Sequence, residues 1–215
     1  MRWKTVIFDH DGVIANSEDI YDRADNELFR RRGQQYHRDD IVSIVMGKNF
    51  VEATGVLKAR YGFPDALEDL VRERRLLLQE HYHSSLDFIP GFPEFHRWLS
   101  LQRIQSCVAT ASDETLFEIA KQRLRLTEFF GENLFTVAQV GNRSKPDPAL
   151  FLYGARAMHS APDECMVIED SPNGVRAAKN AGMFCAALTT THRKEQLSEA
   201  DIVADRFEQI QRSIQ

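Results

Sequence analysis

No apolar run in this sequence approaches the roughly 20 residues that a membrane-spanning helix needs. The N-terminus reads as a strand and not as a signal peptide. Cysteine is scarce: Cys107, Cys165 and Cys185 are odd in number and match no metal-binding spacing. They offer neither a disulfide framework nor a cysteine metal motif, and the three read as small buried hydrophobes in a reducing cytoplasm. Positive charge is not in excess, with 27 Lys and Arg against 32 Asp and Glu and a net charge of −5. That argues against a nucleic-acid footprint, which needs a basic face. The arginine clusters Arg30-Arg31-Arg32 and Arg72-Glu-Arg-Arg75 sit beside acidic residues in helical patterns and read as solvated faces. His81 and His83 stand two apart on a predicted helix, on different faces, and make no metal pair. There is no internal repeat and no low-complexity tract.

What is present is an ordinary globular balance, 43% hydrophobic and 27% charged over 215 residues, enough for one good core or a core with a small second unit. The chain is organised around Thr5-Val-Ile-Phe-Asp-His-Asp-Gly-Val-Ile-Ala-Asn-Ser-Glu18. Val6, Ile7 and Phe8 form the short apolar run of a strand buried on both faces. Asp9 and Asp11 follow at its carboxyl end, and Gly12 allows a sharp turn. Residues i and i+2 of a strand share a side, so the two carboxylates face one way and His10 the other. An Asp-x-Asp after an apolar run is by itself most often a turn cap or a solvated loop, so the rest of the chain must decide.

Asn16-Ser17 predicts a helix N-cap, and four helices follow: Ile20 to Gly33, a short one at Ile41 to Val45 stopped by Gly47, Val51 to Tyr61, and one through Leu67 to Leu78. No strand is predicted between Ser17 and about Ser84. From Phe88 strands alternate with helices of about a dozen residues, the pattern of a parallel sheet covered on both faces. Strands are predicted at Ile104–Ala109, Leu134–Val137, Met166–Ile168, Phe184–Leu188 and Ile202–Val203. The expected fold is α/β, a Rossmann-like parallel sheet built from residues 1–16 and 85–215, with an all-helical unit over 17–84.

Strand-like runs end in Asp9 and Asp11, in Thr110-Ala111, and in Glu169-Asp170, while Lys145 stands just before a helix. In a parallel sheet these ends converge on one edge, where ligands bind. Each has a plain alternative: Thr110 or Ser112 as a helix cap, Lys145 as a surface lysine, Glu169-Asp170 as a capping pair ahead of Ser171-Pro172. Their joint occurrence in this order favours chemistry. Asp9 suits a nucleophile, because a carboxylate with an ordinary pKa of roughly 4 is ionised at neutral pH. Attack on a phosphate monoester gives an aspartyl-phosphate. Mg²⁺ held by Asp9, the Asp11 carbonyl and Asp170, with Glu169 beside them, offsets the crowded negative charge. Lys145, the Thr110 hydroxyl and neighbouring amides such as that of Ala111 take the phosphoryl oxygens. Asp11 serves as acid and then base, and crowding by Asp9 and Glu169 is expected to raise its pKa.

The chain resembles the haloacid dehalogenase superfamily of phosphohydrolases, nearest its β-phosphoglucomutase-like branch, over essentially its whole length. Phe8-Asp-His-Asp-Gly-Val-Ile-Ala-Asn-Ser-Glu18 is similar to the family's first motif, Val108-Ala-Thr-Ala-Ser112 to its second, Lys145-Pro-Asp-Pro148 to its third and Val167-Ile-Glu-Asp-Ser-Pro-Asn-Gly174 to its fourth. The resemblance implies that residues 17–84 are a mobile cap, and that the turn at Gly47-Lys48 reads the substrate. His10 stands where the family usually has an apolar residue or cysteine, and a core or supporting role is expected for it. Family mutases carry an arginine in the cap loop, and here Phe50 stands near that place, so a phosphatase is expected ahead of a sugar-phosphate mutase. The presence of Asp11 disfavours the metal-free dehalogenases. A phospho-signalling receiver also clusters such residues, but has no helical insert and carries its acceptor aspartate mid-chain. The expected protein is a cytoplasmic monomer acting on a small phosphorylated metabolite, probed best with a broad substrate panel with and without Mg²⁺.

Overall fold

The computed structural model describes residues 3–45, 48 and 50–215. Its centre is a six-stranded, wholly parallel sheet in the order β3-β2-β1-β4-β5-β6. The strands are β1 (Thr5–Phe8), β2 (Gln105–Thr110), β3 (Leu134–Thr136), β4 (Cys165–Glu169), β5 (Phe184–Leu188) and β6 (Ile202–Ala204). Every residue of β1 and β4 is buried, as continuous apolar runs between two helical layers require. Alternation divides them: Val6, Phe8, Met166 and Ile168 enter one core, Ile7 and Val167 the other.

The first core is covered by α5 (Phe92–Leu101), α6 (Glu114–Arg123), α7 (Leu126–Phe130) and α10 (Phe207–Ile214). Phe8 anchors it, meeting Phe92, Phe95 and Phe130 edge-on at ring-centroid distances of 5.6, 6.1 and 5.8 Å. The second is covered by α8 (Ala149–Ala157) and α9 (Pro172–Asn180). Burying each such side chain contributes roughly 2 kcal/mol. All three cysteines are buried and reduced.

Between β1 and α5 lie four helices, α1 (Glu18–Arg30), α2 (Arg38–Val45), α3 (Phe50–Tyr61) and α4 (Leu67–Ser85). Their shared core is built on Phe29, whose ring meets Tyr36, Tyr61 and Phe63. The strand-like segments entering and leaving this unit run side by side. Asn16 donates its amide to the Asp87 carbonyl at 3.0 Å, and its side-chain oxygen accepts from the Asp87 amide at 2.8 Å.

Three expectations need correction. Asn16-Ser17 does not cap α1: Ser17 makes no capping bond, and Asn16 ties the two connecting segments instead. Arg74 is not on a solvated face. It is 3% exposed and bidentate on the equally buried Asp25, at 2.7 and 2.8 Å. Arg32 likewise folds back onto Asp65 and Glu73. The helical period sets Arg74 on the buried stripe of Leu70, Val71, Leu77 and Leu78; the acidic neighbours, and not the period, point to a solvated face.

Candidate active site

The carboxyl ends of β1, β2 and β4 open into a cavity of about 250 Å³. β1 is the strand at which the chain reverses its direction across the sheet, with β2 on one side and β4 on the other, which is where open α/β sheets bind ligands. Asp9, Asp11, Thr110, Ala111, Lys145 and Asp170 all line this cavity. Gly47 lies outside the described residues. Lys48 is exposed and lines the same cavity from the insert.

Two glycines make the close approach possible. A Cβ on Gly12, whose φ is +72°, would fall 1.9 Å from Asp170 Oδ2, and one on Gly174 would fall 1.8 Å from the Glu169 carboxyl carbon. Glu169 thereby sits wholly buried at the end of β4. Its Oε2 accepts from the amides of Asp170 and Ser171 at 3.0 and 3.1 Å and from the Ser171 hydroxyl at 3.0 Å. Ser171, not Glu169 or Asp170, is the N-cap of α9, accepting from the Gly174 amide.

Lys145 bridges the carboxylates, with Nζ donating to Asp9 Oδ1 at 2.6 Å and to Glu169 Oε1. Burial works against its charge, but Asp9 and Glu169 outweigh that and hold it more firmly protonated than a free lysine. One ammonium is not enough for three carboxylates. Burial pushes Asp9 up to about 7; the charge of Lys145 opposes this, and those of Glu169 and Asp11 reinforce it. Burial and the charges of Glu169 and Asp9 push Asp170 well above the ordinary range. Asp9 is thus not freely ionised at neutral pH in the bare protein, contrary to the expectation from its ordinary pKa. Asp9, Glu169 and Asp170 each offer an oxygen within 4.8 Å of the others. A buried all-oxygen donor set short of positive charge fits a small hard divalent cation.

Asp11 behaves differently from expectation. Its side chain is not part of that cluster. Oδ2 accepts from the Ser112 hydroxyl, and Oδ1 lies 3.2 Å from both the Tyr82 hydroxyl and His10 Nδ1. Burial alone would raise its pKa, the direction expected from crowding by Asp9 and Glu169. The charge and hydrogen bond of His10 and the bond from Ser112 outweigh burial and hold the carboxyl well below the usual range. His10 itself is fully buried, edge-on to Phe117 at 5.1 Å.

Sequence reasoning missed four residues here. Ser112 was weighed only as a cap, whereas Asp113 caps α6. Tyr82, from α4, had no visible signal, since its contact spans 71 residues. Thr191 and His192 did have one: they follow β5, at the same sheet edge as the other strand ends. Thr191 donates to Asp170 Oδ2, and His192 Nδ1 lies 2.9 Å from the Asp170 carbonyl, while His192 Nε2 is buried with no partner among the described residues.

A sequence profile of the haloacid dehalogenase-like hydrolases matches residues 3–182. The chain belongs to this family. Its relatives include the validoxylamine A 7'-phosphate phosphatase of Streptomyces hygroscopicus subsp. limoneus, 31% identical over 94% of this chain and 92% of that one. Hexitol phosphatase A of Escherichia coli (strain K12) is 26% identical over 98% of this chain and 94% of its own length. Among solved structures, a family hydrolase from Deinococcus radiodurans R1 with bound phosphate and sodium superposes with a TM-score of 0.81 at 25% identity, covering 99% and 95% of the two chains. A Thermotoga maritima protein provisionally named a β-phosphoglucomutase gives 0.79 at 25% identity, covering 99% and 100%. This agrees with the branch that the motifs resemble.

Proposed function

We propose that this hydrolase is a Mg²⁺-dependent phosphatase that cleaves the phosphate monoester of a small sugar-like metabolite through an aspartyl-phosphate. The observation that carries the reading is that Asp9, Thr110, Lys145 and Asp170, from four separate segments, face one cavity beneath the helical insert. Relatives named for hexitol and validoxylamine A 7'-phosphate support a polyhydroxylated body.

Asp9, Asp170 and the Asp11 carbonyl would hold the cation, with Glu169 fixing Lys145 and the loop behind them. When bound, the cation offsets the charge of the carboxylates and the phosphoryl group, so that Asp9 can ionise. Asp9 attacks phosphorus, the ester P–O bond breaks, and the leaving oxygen takes a proton. Lys145, the Thr110 hydroxyl and the Ala111 amide bind the transferring oxygens. Water then attacks the aspartyl-phosphate, giving up a proton to Asp11 and releasing phosphate and the Asp9 carboxylate. In its present hydrogen bonds Asp11 is ionised and suits this second, basic step. To act as the acid of the first step it takes up a proton as it leaves Ser112, Tyr82 and His10. The unit over 17–84 serves as a cap that excludes water.

Mutase chemistry needs a cation for a second phosphate. Phe50 has the Arg74 and Arg75 guanidinium groups 5.1 and 5.2 Å from its ring. Arg74 is paired with Asp25 and Arg75 with Asp113, so neither stands ready for that role. Among the described residues Lys48, which also lines the cavity, is the cation left for a distal group, and the product decides between hydrolysis and isomerisation. Lys48, which follows Gly47 in the sequence, reads the substrate in this proposal. The test is phosphate release from a panel of phosphorylated metabolites with Mg²⁺ and with EDTA. Release should require Mg²⁺, and an isomerised sugar phosphate as the main product would sink the phosphatase reading. Lys48→Ala should lower kcat/KM on the best substrate by about 10-fold, the loss of one charge-assisted hydrogen bond. It should leave p-nitrophenyl phosphate, which has no distal hydroxyls, nearly unchanged. Equal loss on both would refute a substrate-reading role for Lys48.

A further inference from the structure

We infer that the turn after β5, Thr190-Thr191-His192, is the outer support of the cation site, and that Thr191 is the positioning residue that aims Asp170 at the cation. The inference rests on the cation-dependent reading above. Three consecutive side chains reach two of the strand ends that build the site. Thr190 donates its hydroxyl to the Gly12 carbonyl, fixing the turn that follows Asp11. Thr191 donates to Asp170 Oδ2 and lies 3.2 Å from the Asp170 carbonyl oxygen. His192 Nδ1 lies 2.9 Å from that carbonyl, and so carries the ring hydrogen that bonds it.

A Cβ on Gly12 would lie 1.9 Å from Oδ2 and 2.9 Å from Thr191 Cγ2, so the Asp170 carboxylate and the threonine are both packed close against the Gly12 backbone. The hydrogen bond at Oδ2 fixes the rotation of the Asp170 carboxylate, and with it the direction in which the group offers an oxygen to a cation. A small octahedral cation such as Mg²⁺ tolerates little error in ligand position, and partners that orient a ligating carboxylate commonly carry a 10- to 100-fold share of metal affinity. β5 contributes no ligand of its own. Its loop would act only through Asp170 and Gly12.

The test is Mg²⁺ titration of the metal-free protein by calorimetry, which does not depend on turnover. Thr191→Val should weaken Mg²⁺ binding by about 10-fold or more, while Thr191→Ser, which keeps the hydroxyl, stays within about 3-fold of wild type. Thr191→Ala removes the hydroxyl without setting a methyl group against Oδ2, and should weaken binding as the valine does. Urea denaturation of the metal-free variants reports the fold separately. A wild-type protein that takes up no Mg²⁺ overturns the cation reading and this inference with it. A wild-type protein that binds Mg²⁺, beside valine and alanine variants that bind it equally well, overturns the inference alone. So does a serine variant as weak as the valine one, since packing and not the hydroxyl would then be at work.

Discussion

Asp9→Asn should abolish turnover and at the same time stabilise the metal-free protein. The wild-type carboxyl moves from 3.8 to about 7 on folding, a shift of about 3 units at about 1.4 kcal/mol each. Keeping Asp9 ionised in the bare fold therefore costs about 4 kcal/mol. The attraction of Lys145 is already inside that figure, since it lowers the value while burial, Glu169 and Asp11 raise it. Because the folded-state pKa lies above the unfolded one, the native state binds the proton more tightly. The associated stability is full below the unfolded value of 3.8 and drains away as pH rises through about 7. Asparagine is neutral throughout and escapes this loss. The variant should exceed wild type by about 4 kcal/mol near pH 8 and by only about 2 kcal/mol near pH 5, read from urea midpoints in EDTA. Saturating Mg²⁺ should narrow the gap near pH 8, because it stabilises the ionised wild-type site by mass action. A variant no more stable than wild type near pH 8, or a gap independent of pH, would refute the crowded-charge account. Phosphate release by a folded Asp9→Asn protein would refute the nucleophile.

Two further outcomes follow from the contacts of the insert. Tyr82→Phe deletes one hydroxyl 3.2 Å from Asp11 Oδ1; kcat on alkyl phosphates should change by about 10-fold while the pre-steady-state burst on p-nitrophenyl phosphate is retained, and equal effects on both would make Tyr82 a packing residue. Asp25→Ala strands the buried Arg74 guanidinium and should cost about 3–5 kcal/mol in urea denaturation, with Asp25→Leu combined with Arg74→Met recovering most of it; a loss under about 1 kcal/mol for the single variant would mean that water already reaches the pair.

Local pattern carried the sheet well, because each strand announces itself in its own residues. Phe184–Leu188 and Phe92–Leu101 lie where apolar runs and the Pro90-Gly91 turn put them. The division of β1 between two cores follows from alternation alone. The short α7 was missed: at five residues, Leu126–Phe130, it is too brief to show a helical period. Burial of charge was the larger gap. The helical period puts Arg74 on the stripe of Leu70, Leu77 and Leu78 and leaves its exposed neighbour Arg72 off it, but no local pattern names the partner that makes a buried arginine tolerable, Asp25, 49 residues away.

The same limit shaped the reading of the site. Placing Asp9, Asp11, Lys145 and Asp170 at one sheet edge needed only strand ends and a parallel topology. Judging their charge states needed their partners. Asp9 and Asp11 stand two residues apart with the same ordinary pKa, yet burial with Glu169 raises one, while His10 and Ser112 hold the other down. His10 is legible only as a residue facing away from Asp9. That its Nδ1 comes to rest 3.2 Å from Asp11 Oδ1, beside the turn at Gly12, shows only in the folded chain. The loop after β5 is the instructive omission. The rule that strand ends converge applies to Leu188 as much as to Phe8, and Thr189-Thr190-Thr191-His192 is the polar stretch that follows it. A residue that supports a ligand needs no carboxylate of its own, so a search for charged groups passes over it. Asking what holds each carboxylate in place would have led to Thr191.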